Sequence, residues 1–559
     1  MIAAAFAGLH AQNLEESLTV EGKYTPEVIA ADRLSVLPSV MSLTAPASRL
    51  GYELEGVAAN FSPDALAMPA TGWRSTKPSD TSRGYVDLSM GSWLNSRLHA
   101  GYAAIRNEDT RLDVYLRHYS TSLWRAWKAD PAKGIGEAAS RRFRYDETVG
   151  ADFSHRFAGA GKLSAALHYH YGHFNYYATQ CKLEDTKGKR NAPAQDLNDV
   201  YGRVKWEKDF SEKLLFTADA DFRYFGYRKN FIPQLFSSSW VSSSIYRSFL
   251  ADKGCGETVV NVGANTEYAF SRANKIGLGL QYSGVINNPG LDLNRLRFLP
   301  GYDYTHGNVS LHVGAELAVA NSRFRIAPDL RFAARDKDVA FSATIGGGTY
   351  LRTMAWMHDM DYYSDPSYTC SEATYSPIDA RLALQYNPGG RFTFGVEGIW
   401  TTLIDQPFGG IYQAYLNGTG GIRYNEIYSQ DRLHGFSIGV NAGYEFSRYF
   451  GVRGNFNWQP QHGATGILNG FDRPAITANV SATSKPLDAL TLKLDYNLRA
   501  KRQLLSGNIS RLNFAADYSI NERMTVGLTL DNLLNRHEML LPDLPTEGFT
   551  AAGRLRFTF

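Results

Sequence analysis

Leu167-His-Tyr-His-Tyr-Gly-His173 carries the most metal-like chemistry in the chain. On an extended backbone side chains alternate sides, so His168 and His170 share one face and could both reach a single ion. No spacing fixes a Cys or carboxylate to complete that shell, and a polar wall needs such residues in any case. A second stretch, His358-Asp-Met-Asp-Tyr-Tyr-Ser-Asp365, offers oxygen ligands for calcium but lacks the Gly turn and closing Glu of a calcium loop. A solvated acidic loop tip is the simpler reading of those acids. The rings beside them could stack on a ligand such as a sugar, or could pack the loop. Trp356, Asp359, Asp361, Tyr362, Tyr363 and Asp365 are therefore the candidate ligand-binding residues. Trp124, Trp127 and Trp240, with Lys128, Arg141, Arg142 and Arg144 nearby, suit contact with anionic lipopolysaccharide. No Gly-x-Ser-x-Gly elbow, His-Glu-x-x-His helix or P-loop occurs, which argues for a non-enzyme and implies no cofactor.

The elements that would position these residues are strands. The chain ends Phe549-Thr-Ala-Ala-Gly-Arg-Leu-Arg-Phe-Thr-Phe559, with Phe549, Ala551, Gly553, Leu555, Phe557 and Phe559 on one face and Thr550, Ala552, Arg554, Arg556 and Thr558 on the other. Similar alternation runs through Leu112–Arg117, Leu214–Tyr224, Val309–Leu317 and Leu490–Leu498. Charge repeated on the wet face of strand after strand suits a water-filled lumen better than a soluble sandwich. Mean hydropathy is −0.31, and no run of roughly 18 apolar residues follows the first dozen, so helical membrane spans are not expected. Barrel strands escape such windows because only alternate residues are apolar. The 33 Tyr, 30 Phe and 51 Gly favour an aromatic, turn-rich β protein, and a net charge of +3 gives no argument for nucleic acid.

The expected fold is all-β: a large antiparallel transmembrane barrel of the outer membrane. We place about 22 strands, starting near residues 84, 97, 110, 146, 162, 197, 213, 258, 275, 293, 308, 323, 338, 377, 391, 433, 450, 473, 490, 508, 523 and 549. Short connections at 158–161, 271–274, 388–390 and 520–522 alternate with long ones at roughly 120–145, 174–196, 227–257, 350–375 and 403–432. Short periplasmic turns and long outer loops are the habit of outer-membrane barrels. Cys181, Cys255 and Cys370 fall in the expected outer loops, and three cysteines allow one disulfide and one thiol. Residues 1–11 read as the end of a secretory signal, 12–82 as a Pro/Ser/Ala-rich periplasmic arm, and 83–559 as the barrel.

Near the end stands Val526-Gly-Leu-Thr-Leu-Asp-Asn-Leu-Leu-Asn-Arg-His537, followed by a Pro/Gly loop and the terminal strand. Asn532, Leu533, Leu534, Asn535, Gly548 and Phe559 match the close of TonB-dependent receptors, which the barrel region resembles; Ile326–Phe332 and Gly346–Gly348 are similar too. The resemblance implies a Gram-negative outer-membrane protein taking part in ligand uptake, with lipopolysaccharide around it and TonB or an outer-membrane lipoprotein as companion. Receptors of this type carry a globular plug inside the barrel. The arm here is short for one, so it reads as a reduced plug, or the plug is absent. Ser17-Leu-Thr-Val20 is the stretch that could serve as a TonB box, and Leu18, Thr19, Val20, Tyr24 and Pro26 are the candidate contacts to a periplasmic partner. The alternative is a plugless barrel serving as a scaffold subunit of an assembly or secretion complex. An empty barrel of this strand number is a wide hole, so the arm, the long loops or a partner must narrow it.

Overall fold

The structure is a computed structural model that describes residues 82–559, except 128–137, 176–193, 236–244, 252–253, 289, 361, 363–368, 389–390, 416–421, 464–473, 503–507, 537, 542–543 and 546–547. The expected arm, and with it Leu18, Thr19, Val20, Tyr24 and Pro26, lies outside the described residues.

Twenty-two strands close into one antiparallel barrel. The first seven are β1 (Gly84–Gly91), β2 (Ser96–Arg106), β3 (Thr110–Trp127), β4 (Ala138–Phe157), β5 (Gly161–Asn175), β6 (Ala194–Ser211) and β7 (Leu214–Tyr227). Next come β8 (Cys255–Ala269), β9 (Asn274–Asn288), β10 (Leu293–His306), β11 (Val309–Ala320), β12 (Arg323–Asp336), β13 (Val339–Tyr350) and β14 (Thr374–Tyr386). The last eight are β15 (Phe392–Tyr415), β16 (Ile422–Ser447), β17 (Phe450–Trp458, resumed at Gln461–Gly463), β18 (Ile476–Leu487), β19 (Leu490–Ala500), β20 (Ile509–Ser519), β21 (Met524–Asp531) and β22 (Thr550–Thr558). Each strand pairs with the next, and β22 returns to β1 in a register running from Tyr85 opposite Thr558 to Gly91 opposite Ala552.

The strand count agrees with the sequence reading. Two starts do not: β4 begins at Ala138 rather than near 146, and β16 at Ile422 rather than near 433. Where the loops 120–145 and 403–432 were expected, strands instead reach Trp127 and resume at Ala138, and reach Tyr415 and resume at Ile422. Both hairpins continue past the membrane, where either face can meet water. Alternation then stops marking the strand, while the cross-strand hydrogen bonds carry on. Trp124 and Trp127 therefore fall within β3, and Arg141, Arg142 and Arg144 within β4, not in a loop; Trp240 lies outside the described residues.

The two faces are chemically distinct. Outward residues are apolar and exposed, as with Leu167 and Tyr169 on β5, Phe222 and Tyr224 on β7, and Leu280 and Ile286 on β9. No second layer covers them among the described residues, so lipid is the environment that makes this arrangement stable. Outward rings such as Trp206 with Phe216, Phe270 with Tyr302, and Phe446 with Phe450 gather towards the short-turn end, where an interfacial aromatic belt belongs. Inward residues are polar and cross-linked. Arg223 holds Asp199 through two bonds of 2.9 and 2.8 Å, Arg554 holds Asp87 at 2.8 Å, and Arg381 holds Glu397 at 2.8 Å.

The receptor-like motif after β21 is a turn device. Asn532 (φ 52°) and Asn535 (φ 48°) both adopt the left-handed conformation that Asn tolerates better than most residues. The Asn532 side chain accepts from the Arg536 N–H at 3.3 Å and donates to the Arg536 carbonyl at 2.8 Å, while Asn535 Oδ1 accepts from the Phe549 N–H at 2.9 Å. Asn532→Ala should lower barrel stability by about 1–2 kcal/mol, and Asn532→Gly, which keeps the backbone freedom, by less. Heat-dependent gel mobility of the folded barrel measures both.

Candidate functional site

The connection 351–373 leaves β13 and enters β14, at the end of the barrel that carries the long connections. It contains α1 (Met354–Met360). A seven-residue helix has no stability of its own in water, so packing must hold it. Met354, Ala355, Met357 and His358 are buried, and the helix meets the inner faces of β5, β7 and β8. Asp359 is exposed, as a solvated acidic tip requires, but His358 before it is buried, and the apolar Met-Ala-Trp-Met segment turns the connection inward. Residues 351–360, with Tyr362 and 369–373, form a strap at the mouth of the lumen.

Each free N–H at the start of α1 has an identified acceptor. The Glu257 carboxylate, on the inner face of β8, accepts from Met354 at 2.5 Å and from Ala355 at 2.8 Å. Thr353 Oγ1 accepts from Trp356 at 3.0 Å, and the Thr353 carbonyl takes the first helical bond from Met357. Glu257 is 1 % exposed, and a carboxylate so buried is tolerated only with such donors. At the other end of α1, His358 Nδ1 lies 2.8 Å from the Tyr227 hydroxyl, within rings from Phe174, Phe225 and Tyr362. Tyr362 donates to Asp146 Oδ1 on β4 at 3.0 Å, and the Arg144 guanidinium sits 3.7 Å above its ring. The strap's legs are fixed as well. Glu316 on β11 accepts from the Thr349 N–H and hydroxyl at 2.6 and 2.7 Å. Gln430 on β16 accepts from the Ser371 and Glu372 N–H groups at 2.9 and 3.1 Å.

Of the candidate ligand residues, Trp356 and Asp359 lie on α1, Trp356 beside Arg352, and Tyr362 follows the helix and reaches Asp146; Asp361, Tyr363 and Asp365 lie outside the described residues. His168 and His170 do share the inner face of β5 but serve different partners. His168 Nδ1 is 3.1 Å from the Tyr115 hydroxyl and stacks on Tyr201, whereas His170 Nε2 is 3.3 Å from Asp146. Among the described residues no three metal-binding side chains converge. Cys255 is buried at the start of β8 and Cys370 is buried in the strap against Val285 and Leu293, neither in an open loop; Cys181 lies outside the described residues.

Sequence reasoning missed Glu257, Tyr227, Glu316 and Gln430, because each meets the strap only through space. A signal was present. The inward face of β7 runs Asp219, Asp221, Arg223 and then switches to Phe225 and Tyr227; β5 makes the same switch at Phe174 and β6 at Leu197. An inner wall that turns apolar at one end marks where something packs.

Burial pushes the His358 imidazole down to about 3, helped by the positive charges of Arg144, His170 and Arg223 and opposed by Asp146. Its stabilising effect is therefore whole above the ordinary pH of about 6.5 and is lost as pH falls towards 3, because the undocked strap takes up the proton first. Lowering pH from 7 to about 4.5 should weaken docking by on the order of 2 kcal/mol. A spin label at Asp359→Cys should gain mobility over that range, and His358→Phe should abolish the gain.

This closed, lipid-facing strand cylinder with a polar bore is an integral outer-membrane β-barrel. By sequence, no protein-family model matches the chain and no curated protein matches it. Solved structures do match. The siderophore receptor PirA from Acinetobacter baumannii aligns with a TM-score of 0.64 at 10 % identity, over 86 % of this chain and 80 % of that one. A mutant ferric enterobactin receptor, PfeA, from Pseudomonas aeruginosa gives 0.62 at 10 % identity, over 86 % and 80 %. The FrpB iron transporter from Neisseria meningitidis gives 0.60 at 9 % identity, over 86 % and 82 %. The likeness is one of fold: the barrel is built like those of these receptors.

Proposed function

We propose that the chain is a transport barrel of TonB-dependent receptor type that takes up a ligand across the outer membrane, and that it is not an enzyme. The observation that carries this reading is the strap, a built, inward-folded element at the mouth of a polar lumen; its Trp356, Asp359 and Tyr362 are the side chains proposed to meet an incoming ligand. A scaffold needs a closed wall but no tailored mouth. Asp361, Tyr363 and Asp365 are proposed to contact the same ligand, and Leu18, Thr19, Val20, Tyr24 and Pro26 in the 12–82 arm are the proposed contact to TonB. The fold of the siderophore receptors and the iron transporter supports uptake, and their ligands suggest the kind of scarce nutrient to screen. Gentle detergent purification of the tagged protein from its own outer membrane tests the reading. TonB or a surface lipoprotein among the companions supports uptake; barrel-assembly or secretion components without TonB overturn it.

A further inference from the structure

The lipid-facing belt is uneven around the barrel. On β11 and β12 every outward rung from Val309 opposite Ala334 up to Val319 opposite Phe324 is apolar, six in all. At about 3.4 Å per residue and a strand tilt of about 40°, those rungs rise about 26 Å, the height of an ordinary outer-membrane belt. On β3 and β4 there are three: Leu112 with Phe153, Val114 with Ala151, and Leu116 with Val149. By the same geometry they rise about 10 Å.

Polar pairs close both ends of this short belt. At its foot Thr110 Oγ1 lies 2.7 Å from His155 Nδ1. At its top His118 Nδ1 lies 2.5 Å from Glu147 Oε1, His118 Nε2 lies 3.0 Å from Ser96 Oγ, and that hydroxyl meets Ser120 Oγ at 2.7 Å. These four side chains face outward, since Tyr115 and Asp146, of the opposite parity, face the lumen and meet His168 and the strap's Tyr362 there. A carboxylate on the lipid face is unfavourable within the hydrocarbon, whereas a polar chain linked end to end suits the headgroup boundary. The alternation that located β4 from residue 146 lapses at this same level. Trp93, exposed in the turn between β1 and β2 and beside β3, supplies an interfacial ring there. A bilayer that meets a belt too short for it thins to match. We infer that the β2–β4 side of the barrel is a membrane-thinning surface whose partner is the lipid itself. The outer leaflet dips there to the level of Glu147 and leaves the upper parts of β3 and β4 wet on both faces. The strap docks through Asp146 at that level, so the wall behind it stands in water.

Nitroxide depth measurements on the full chain in dioleoylphosphatidylcholine vesicles test this, in a background of Cys181→Ser, Cys255→Ala and Cys370→Ala. Val149→Cys and Ala315→Cys carry the label at matched heights: Leu116, opposite Val149, and Ala315 each lie six residues above the first residue of their strand. The polar cluster stays intact in both. Relative to oxygen, a water-soluble nickel relaxant should reach the Val149 label several-fold more readily than the Ala315 label. His118→Leu with Glu147→Leu adds a fourth apolar rung and should bring the two labels together. A second readout needs no label: compared with the unmodified protein, this double variant should lose folding yield in dilauroylphosphatidylcholine vesicles and gain it in dioleoylphosphatidylcholine. Equal accessibility at the two labels overturns the inference, because the bilayer is then flat around the barrel. A Val149 label screened from both relaxants also overturns it, because a second copy of the chain then covers this face. Neither readout depends on uptake or on TonB.

Discussion

Glu257→Ala is expected to undock the strap and open the lumen mouth. The carboxylate accepts two backbone N–H groups from the first turn of α1, and hydrogen bonds to a charged group each contribute about 1.5–3 kcal/mol net of desolvation. Losing both removes about 3–5 kcal/mol and strands two donors against an apolar wall. What remains along the helix is the Tyr227–His358 bond and ring packing, while the legs at Glu316 and Gln430 keep the ends in place. The middle of the strap should therefore swing free without the barrel unfolding. Amide exchange over 353–360 should rise by two to three orders of magnitude, the rise that about 3–4 kcal/mol predicts. Single-channel conductance in planar bilayers should rise with it. Glu257→Gln keeps one acceptor oxygen but turns an NH2 towards a donor, so it should lie between. Unchanged exchange in Glu257→Ala would sink the idea that this carboxylate is the latch.

The latch also shows what a sequence can and cannot disclose here. The barrel was legible because its physics is local: a strand between lipid and water must alternate, and Leu555, Phe557 and Phe559 against Arg554 and Arg556 record that at every second residue. Alternation also located the strand starts, until β4 and β16 rose above the membrane and the constraint lapsed. Trp356, Asp359 and Tyr362 were legible as a cluster because aromatic and acidic residues crowd a short stretch. Their partners were not, since Glu257 lies 97 residues from Met354 and Tyr362 lies 216 from Asp146. Such pairings depend on which inner face the connection meets, and that is decided by the curvature of the whole sheet. His170 illustrates the same point: its spacing from His168 makes it conspicuous, yet its role comes from Asp146 and, through it, from the strap. The short-range signs were the Met-Ala-Trp-Met start of α1 and the apolar ends of the inner wall, and they gain meaning only when set side by side.

Gly91→Val should prevent closure of the barrel. Gly91 sits at the upper end of the β1–β22 seam, opposite Ala552. A Cβ there would clash with the Ala551 carbonyl oxygen and stand 2.7 Å from the Ala552 Cβ and 2.9 Å from its Cα. These neighbours are backbone or backbone-fixed, so no rotamer change relieves them, and the strands must separate. The cost should exceed the 1–3 kcal/mol or so typical of core overpacking. It also falls where closure depends on contacts distant in sequence: the Ser92 hydroxyl, which donates to the Ala551 carbonyl at 3.2 Å and accepts from its N–H at 3.0 Å, joins residues 459 apart. Such pairings form late, after the loop entropy of nearly the whole chain has been lost. Gly84 and Phe559 hold the other end of the seam through bonds of 2.8 and 2.9 Å, and Asp87 with Arg554 holds the middle. The closing strands should therefore fray from the Gly91 end, and most of the variant should run as unfolded protein on unheated gels. Gly553→Val is the matched control. It lies on the same seam, and nothing stands within 4 Å of its Cβ position. The added methyl groups should meet lipid there, so this variant should assemble normally. If both variants assembled alike, closure would not be governed by the fit of backbone against backbone at this seam.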